Sequence, residues 1–121
     1  MTQINKLHTQ AVQLLQQLIA IPSFSREENL TADVIEKYLT EKGIRTHRKM
    51  NNIWAWNKYF DASKPTILLN SHHDTVKPNS GYARDPFDAK IEDGKLYGLG
   101  SNDAGGCLVS LIHVFLYFHD K

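Results

Sequence analysis

Three side chains are of the types that hold metal ions and relay protons: His72 and Asp74, two positions apart, and Asp103, set among glycines. The first two end the stretch Thr66–Asp74, T-I-L-L-N-S-H-H-D. Pro65 precedes its short apolar run, Ile67-Leu68-Leu69, which suits a strand buried on both faces inside an α/β sheet. Side chains alternate along a strand, so His72 and Asp74 are expected on one face and His73 on the other. An imidazole and a carboxylate side by side at a strand end can bind a metal, or orient one that is bound. Asp103 lies within Gly98-Leu-Gly-Ser-Asn-Asp-Ala-Gly-Gly106, where glycines let backbone come close to a ligand. A plainer role for Asp103 is the N-cap of the following helix. A dinucleotide fingerprint is a weaker rival: the third glycine of that pattern falls at Asp103, and the stretch follows a hairpin rather than a first strand.

Around these residues the chain reads as alternating helices and strands. Ile4, Leu7, Ala11, Leu14, Leu15 and Leu18 recur at helical spacing over Ile4–Ala20, and Pro22 stops that helix. Ser25 and Glu28 form a capping-box pattern, predicting a second helix from Arg26 to Lys42 with Leu30, Val34, Ile35, Tyr38 and Leu39 inward and Gly43 as its stop. Ile44–Arg48 and Ile53–Tyr59 read as strands, the second carrying Trp54 and Trp56 on one face as core or interface residues. Thr75–Phe87 has no periodicity and contains Pro78, Gly81 and Pro86. It is either a plain surface loop or a substrate-side loop, since ligands of α/β sheets gather at carboxyl strand ends. Ala89–Ile91 and Lys95–Gly98 flank Glu92-Asp93-Gly94 as a hairpin, and a helix is expected over Ala104–Phe118. Cys107 is expected there as a small buried residue and His113 as a core or boundary residue.

Composition excludes several classes. A net charge of +1 gives no electrostatic case for nucleic acid or an anionic membrane as partner. Cys107 is the sole cysteine, so no intrachain disulfide forms, which fits a reducing compartment. The first residues lack a signal-peptide pattern and no apolar run approaches the roughly 20 residues that span a bilayer. The expectation is a soluble, cytoplasmic protein.

His72-His73-Asp74-Thr75-Val76, Asp85-Pro86-Phe87, Asp93-Gly94-Lys95-Leu96-Tyr97-Gly98 and Gly100-Ser-Asn-Asp-Ala-Gly-Gly106 follow one another in order, after Ile21-Pro22-Ser23 and Glu27-Glu28. This set resembles the N-terminal part of the metal-dependent amidohydrolases and exopeptidases that include acetylornithine deacetylase, succinyl-diaminopimelate desuccinylase, aminoacylase and glutamate carboxypeptidase. Within that family, Asn70–Pro78 and Gly100–Ala104 look closest to acetylornithine deacetylase. The resemblance implies an α/β fold, the N-terminal part of a zinc-exopeptidase-like catalytic domain with a mixed sheet flanked by helices and no lid domain. It makes His72 a ligand of one metal, Asp103 the carboxylate bridging two, and Asp74 the catalytic-site residue that orients His72. His73 would not be a ligand. Two Zn2+ ions per complete site are implied, with Co2+ or Mn2+ able to substitute.

The implied activity is hydrolysis of an N-acyl amino acid, with deacetylation of N-acetylornithine in arginine biosynthesis favoured, by a protein that dimerises at full length. Ala104-Gly105 depart from the larger residues usual after the bridging aspartate, which changes the wall of the site but not its ligands. The family's general base and other ligands have no counterpart here, so residues 1–121 are expected to be a segment of a catalytic domain, inactive alone. The contrary expectation is a non-catalytic α/β module that binds metal weakly or packs against a partner.

Overall fold

Leucines spaced three and four apart bury one stripe of the first helix, α1 (Gln3–Ile19), through Leu14, Leu15, Leu18 and Ile19. Thr2 caps it by accepting from the Asn5 amide at 3.2 Å. The computed structural model describes all residues, 1–121. The second helix, α2 (Asn29–Glu41), begins later than its capping pattern predicts. Arg26 takes a left-handed φ of 74°, which a helix does not accommodate. Ser25 makes no cap; its hydroxyl donates to the Asp74 carboxylate instead. Thr31, Ala32, Ile35 and Leu39 face inward, whereas Leu30 is exposed.

Two antiparallel hairpins follow. β1 (Thr46–Lys49) pairs with β2 (Asn52–Ala55) in the register Thr46–Ala55 to Lys49–Asn52. Arg48 pins this hairpin to α2, its Nη1 lying 2.6 Å from Asp33 and 2.9 Å from Glu36. β2 stops at Ala55, and Trp54 and Trp56 stay largely in solvent, against His47 and Phe60 respectively. β3 (Ile91–Glu92) pairs with β4 (Lys95–Leu96) around Asp93-Gly94, both at positive φ, as a two-residue hairpin turn requires. The last helix, α3 (Gly106–Phe118), buries Val109 and His113 and packs on α1. One core joins Leu14, Leu15, Leu18 and Ile19 of α1 to Ile35, Leu39, Ile44, Ala89 and Val109.

The class is α/β, but the central strand expected at Thr66–Asp74 does not form. The segment has no strand partner, and Ile67 and Leu68 are 87% and 82% exposed. The one bridge beside it, parallel, joins Phe24 to Thr75 just past its end. An apolar run becomes a buried strand only when neighbours occupy both edges and both faces, and these hairpins lie elsewhere. The accessible surface, 8407 Å², accordingly exceeds the roughly 6,600 Å² typical of a folded protein of this mass. No helix is long and apolar enough to cross a membrane.

His113 is one of three buried polar residues, with Ser23 and Thr31, at 6% exposure. Its Nδ1 donates to the Val109 carbonyl at 2.7 Å, so Nε2 accepts from the Tyr38 hydroxyl, also at 2.7 Å. Burial pushes its pKa below the ordinary value and pushes Tyr38 up to about 12, so both stay neutral. Because the unfolded imidazole binds a proton more readily, this contribution to stability is complete above about pH 6.5 and is lost as pH falls toward the lower folded pKa. Thermal melts should therefore show the midpoint declining below about pH 6.5, with a smaller decline in a His113→Gln variant. Equal pH dependence in the two proteins would contradict the assignment.

Candidate metal centre

The glycine-rich turn between β4 and α3 presents Asp103. Gly100 sits at φ 75°, and a Cβ there would lie 2.6 Å from the Thr75 methyl, so the turn is seated directly on the residue after Asp74. Gly105 closes the turn by donating to the Gly100 carbonyl at 2.8 Å. A Cβ on Gly105 would meet both that carbonyl and Leu15 of α1 at 2.6 Å. Between these two glycines Asp103 leaves helical geometry (φ −123°, ψ 95°), and its side chain is 90% exposed. The N-cap role is not realised: Gly105 occupies that position of α3 and makes no side-chain cap bond.

His72 faces this carboxylate. Its Nε2 is 3.1 Å from Asp103 Oδ1, while Nδ1 lies 3.1 Å from the Asp74 carbonyl and 3.2 Å from Asp74 Oδ1. His73 turns away, Nδ1 against the Thr31 hydroxyl and Nε2 donating to the Asn51 carbonyl, both at 2.8 Å. The alternation expected of residues 72–74 is thus kept although no strand forms. The three residues singled out from the sequence converge.

The proton count of this cluster decides its chemistry. Nδ1 of His72 meets only acceptors and must carry hydrogen. Nε2 then faces a carboxylate oxygen, and two lone pairs at 3.1 Å repel unless a proton or a cation lies between them. Partial desolvation pulls the His72 pKa down, but the Asp74 carbonyl and the Asp74 and Asp103 carboxylates outweigh it, and the net shift is upward. The Ser25 hydroxyl, aided by His72, holds Asp74 below the usual carboxylate range against the opposing effect of desolvation. A bound cation would replace the Nε2 proton. Two ligands at about 2.0–2.1 Å in a tetrahedral sphere stand about 3.3–3.4 Å apart, close to the separation here. The donor pair therefore fits zinc. It is a pair and no more: nowhere in the chain do three or more His, Cys, Asp or Glu side chains gather as a metal-holding group.

The cluster borders an open cleft of about 640 Å³. Much of the 75–87 segment lines it, Tyr82, Arg84 and Pro86 included, together with His72 and Asp103. That loop, expected either as plain surface or as a substrate-side loop, lines the cleft over much of its length. Arg84 lies over the Tyr97 ring at 3.8 Å and pairs with Glu92 at 2.7 Å. Sequence reading missed Ser25 as a partner of Asp74 and Arg84 as a wall residue; the cap-like spacing of Ser25 and Glu28 pointed to a helix start instead. Cys107, expected to be buried, is exposed on the outer side of α3.

Residues 68–121, which hold His72, Asp74 and Asp103, match the model of peptidase family M20/M25/M40. The resemblance read from His72, Asp74 and Asp103 is to this same family. Similar curated proteins are succinyl-diaminopimelate desuccinylases: those of Beijerinckia indica (31% identical over 92% of this chain), Corynebacterium glutamicum (34% over 84%) and Rickettsia bellii (30% over 86%). The aligned parts are 31%, 27% and 28% of those proteins, so the chain spans about a third of their length. The likeness to acetylornithine deacetylase in particular is not what these M20 relatives display; their names are those of desuccinylases.

If His72 and Asp103 share a cation, calorimetric titration of the chain with Zn2+ should give saturable binding that His72→Ala or Asp103→Ala abolishes. His119→Ala, remote from the cleft, should leave it unchanged. Undiminished binding by the His72 variant would contradict the shared site.

Proposed function

We propose that residues 1–121 are the N-terminal segment of a zinc-dependent amide hydrolase catalytic domain, in which His72 and Asp103 hold metal and Asp74 orients His72. The observation that carries this reading is the His72 Nε2–Asp103 Oδ1 approach of 3.1 Å across a cleft edge, in a chain whose residues 68–121 match the M20/M25/M40 family. Zinc, when bound, supplies a polarised substrate carbonyl and an acidified water. Asp74 keeps the Nδ1 proton of His72, leaving Nε2 as the metal-facing lone pair. The loop wall around Tyr82 and Arg84 confines the substrate beside the two ligands. The remaining ligands and the general base belong to other parts of the protein.

The substrate class is an N-acyl amino acid. Two acyl groups are in question: acetyl, from the motif likeness to acetylornithine deacetylase, and succinyl, from the names of the M20 relatives. The second has the wider support along the chain, so the succinyl amide is favoured over N-acetylornithine. A non-catalytic role for residues 1–121 by themselves is favoured by one observation, the presence of two converging donors rather than three or more.

Both points are tested by one assay of the zinc-loaded protein that carries these residues, following amine release. N-succinyl-diaminopimelate should turn over with a higher kcat/KM than N-acetylornithine, and His72→Ala should reduce either rate to background. Residues 1–121 alone should release none. Undiminished turnover by the His72 variant would contradict the proposal; preference for the acetyl substrate would reverse the acyl assignment.

A further inference from the structure

The lone pair of His72 is useful only while Asp74 stays in place, and a carboxylate one carbon from the backbone is free to rotate. Its Oδ1 faces His72 Nδ1 at 3.2 Å. Its other oxygen, Oδ2, accepts the hydroxyl proton of Ser25, a residue of the linker between α1 and α2. That linker is itself fixed. The Ser25 amide donates to the Thr75 carbonyl at 3.1 Å, and the Thr75 amide donates to the Ser23 carbonyl at 2.8 Å. Ser23 is buried, and its hydroxyl donates to the His73 carbonyl at 3.0 Å. Residues 23–25 therefore run parallel to 73–75 as a short clamp, with one hydroxyl on the backbone and the next on the carboxylate.

We propose that Ser25 is a positioning residue of the metal site: its hydroxyl locks the Asp74 carboxylate in the rotamer that sets Oδ1 beside the Nδ1–H of His72, whose hydrogen bond goes to the Asp74 carbonyl. Ser25 acts through Asp74 and touches neither metal nor substrate. The proposal rests on the reading of His72 and Asp103 as ligands. An exposed serine at a helix start would ordinarily be replaceable; here its hydroxyl has a single partner whose orientation matters.

Ser25→Ala removes the hydroxyl but keeps both backbone hydrogen bonds of the clamp. Its Zn2+ affinity should fall about 10-fold, the lower end of the loss usual for a partner outside the ligand shell. Ser25→Thr should restore near-native affinity, and Ser25→Cys, a weaker donor, should fall between. A second readout needs no metal: nitrogen–proton correlations of the His72 ring above its pKa should show the Nδ1–H tautomer in the native chain. The share of that tautomer should drop in the alanine variant and recover in the threonine variant. Native zinc affinity and an unchanged ring in Ser25→Ala, while His72→Ala loses zinc, would overturn the role of Ser25 and leave the ligand reading intact. Zinc binding unaffected by His72→Ala would instead overturn the ligand reading, and the tautomer shift would still decide whether Ser25 orients Asp74. Should the alanine variant melt early, the threonine–cysteine pair carries the comparison: equal affinity and equal tautomer share would overturn the proposal.

Discussion

Two acceptors that point at one another at the edge of a cleft need something positive between them. His72 Nε2 and Asp103 Oδ1 stand in that relation at 3.1 Å, with Nδ1 already committed to Asp74. A proton serves in the free chain, and the raised His72 pKa reflects the carboxylates and carbonyl around it outweighing desolvation. A divalent cation serves better, because it interacts with both donors at once and leaves the imidazole neutral. The surrounding chain holds those two side chains at that distance.

Two close approaches do so. On one side the Asp103 turn rests on Thr75 through the bare Cα of Gly100 and on Leu15 through that of Gly105. On the other, the linker residues 23–25 bind the backbone of 73–75. Both meet at Thr75, immediately after Asp74, and both are supported from below by the buried end of α1. The core of α1, α2 and α3 is thus a platform for the site rather than a separate feature. Asp103 itself is left in solvent.

Local rules made much of this legible. The periodicity of Leu14, Leu15 and Leu18 and the Asp93-Gly94 turn are short-range signals, and the helices and the second hairpin form where they point. The pairing of His72 with Asp74 and the exposure of Asp103 also follow from local pattern, alternation in one case and glycine flanks in the other. What was not legible depends on distant partners. Ile67-Leu68-Leu69 has the composition of a buried strand but no neighbour to bury it, so it remains extended and exposed. Ser25 carries the spacing of a cap, yet α2 begins only at Asn29 and the hydroxyl donates to a carboxylate 49 positions away. Cys107 was read as buried from its apolar helix, but falls on the solvent side of α3.

The account stands or falls on whether one cation sits between two particular atoms. Anomalous diffraction at the zinc edge, from crystals of the protein grown with Zn2+, measures this directly. The expected result is a peak about 2.0–2.2 Å from both His72 Nε2 and a carboxylate oxygen of Asp103. Zinc bound elsewhere, with these two side chains still joined by a proton alone, would contradict it.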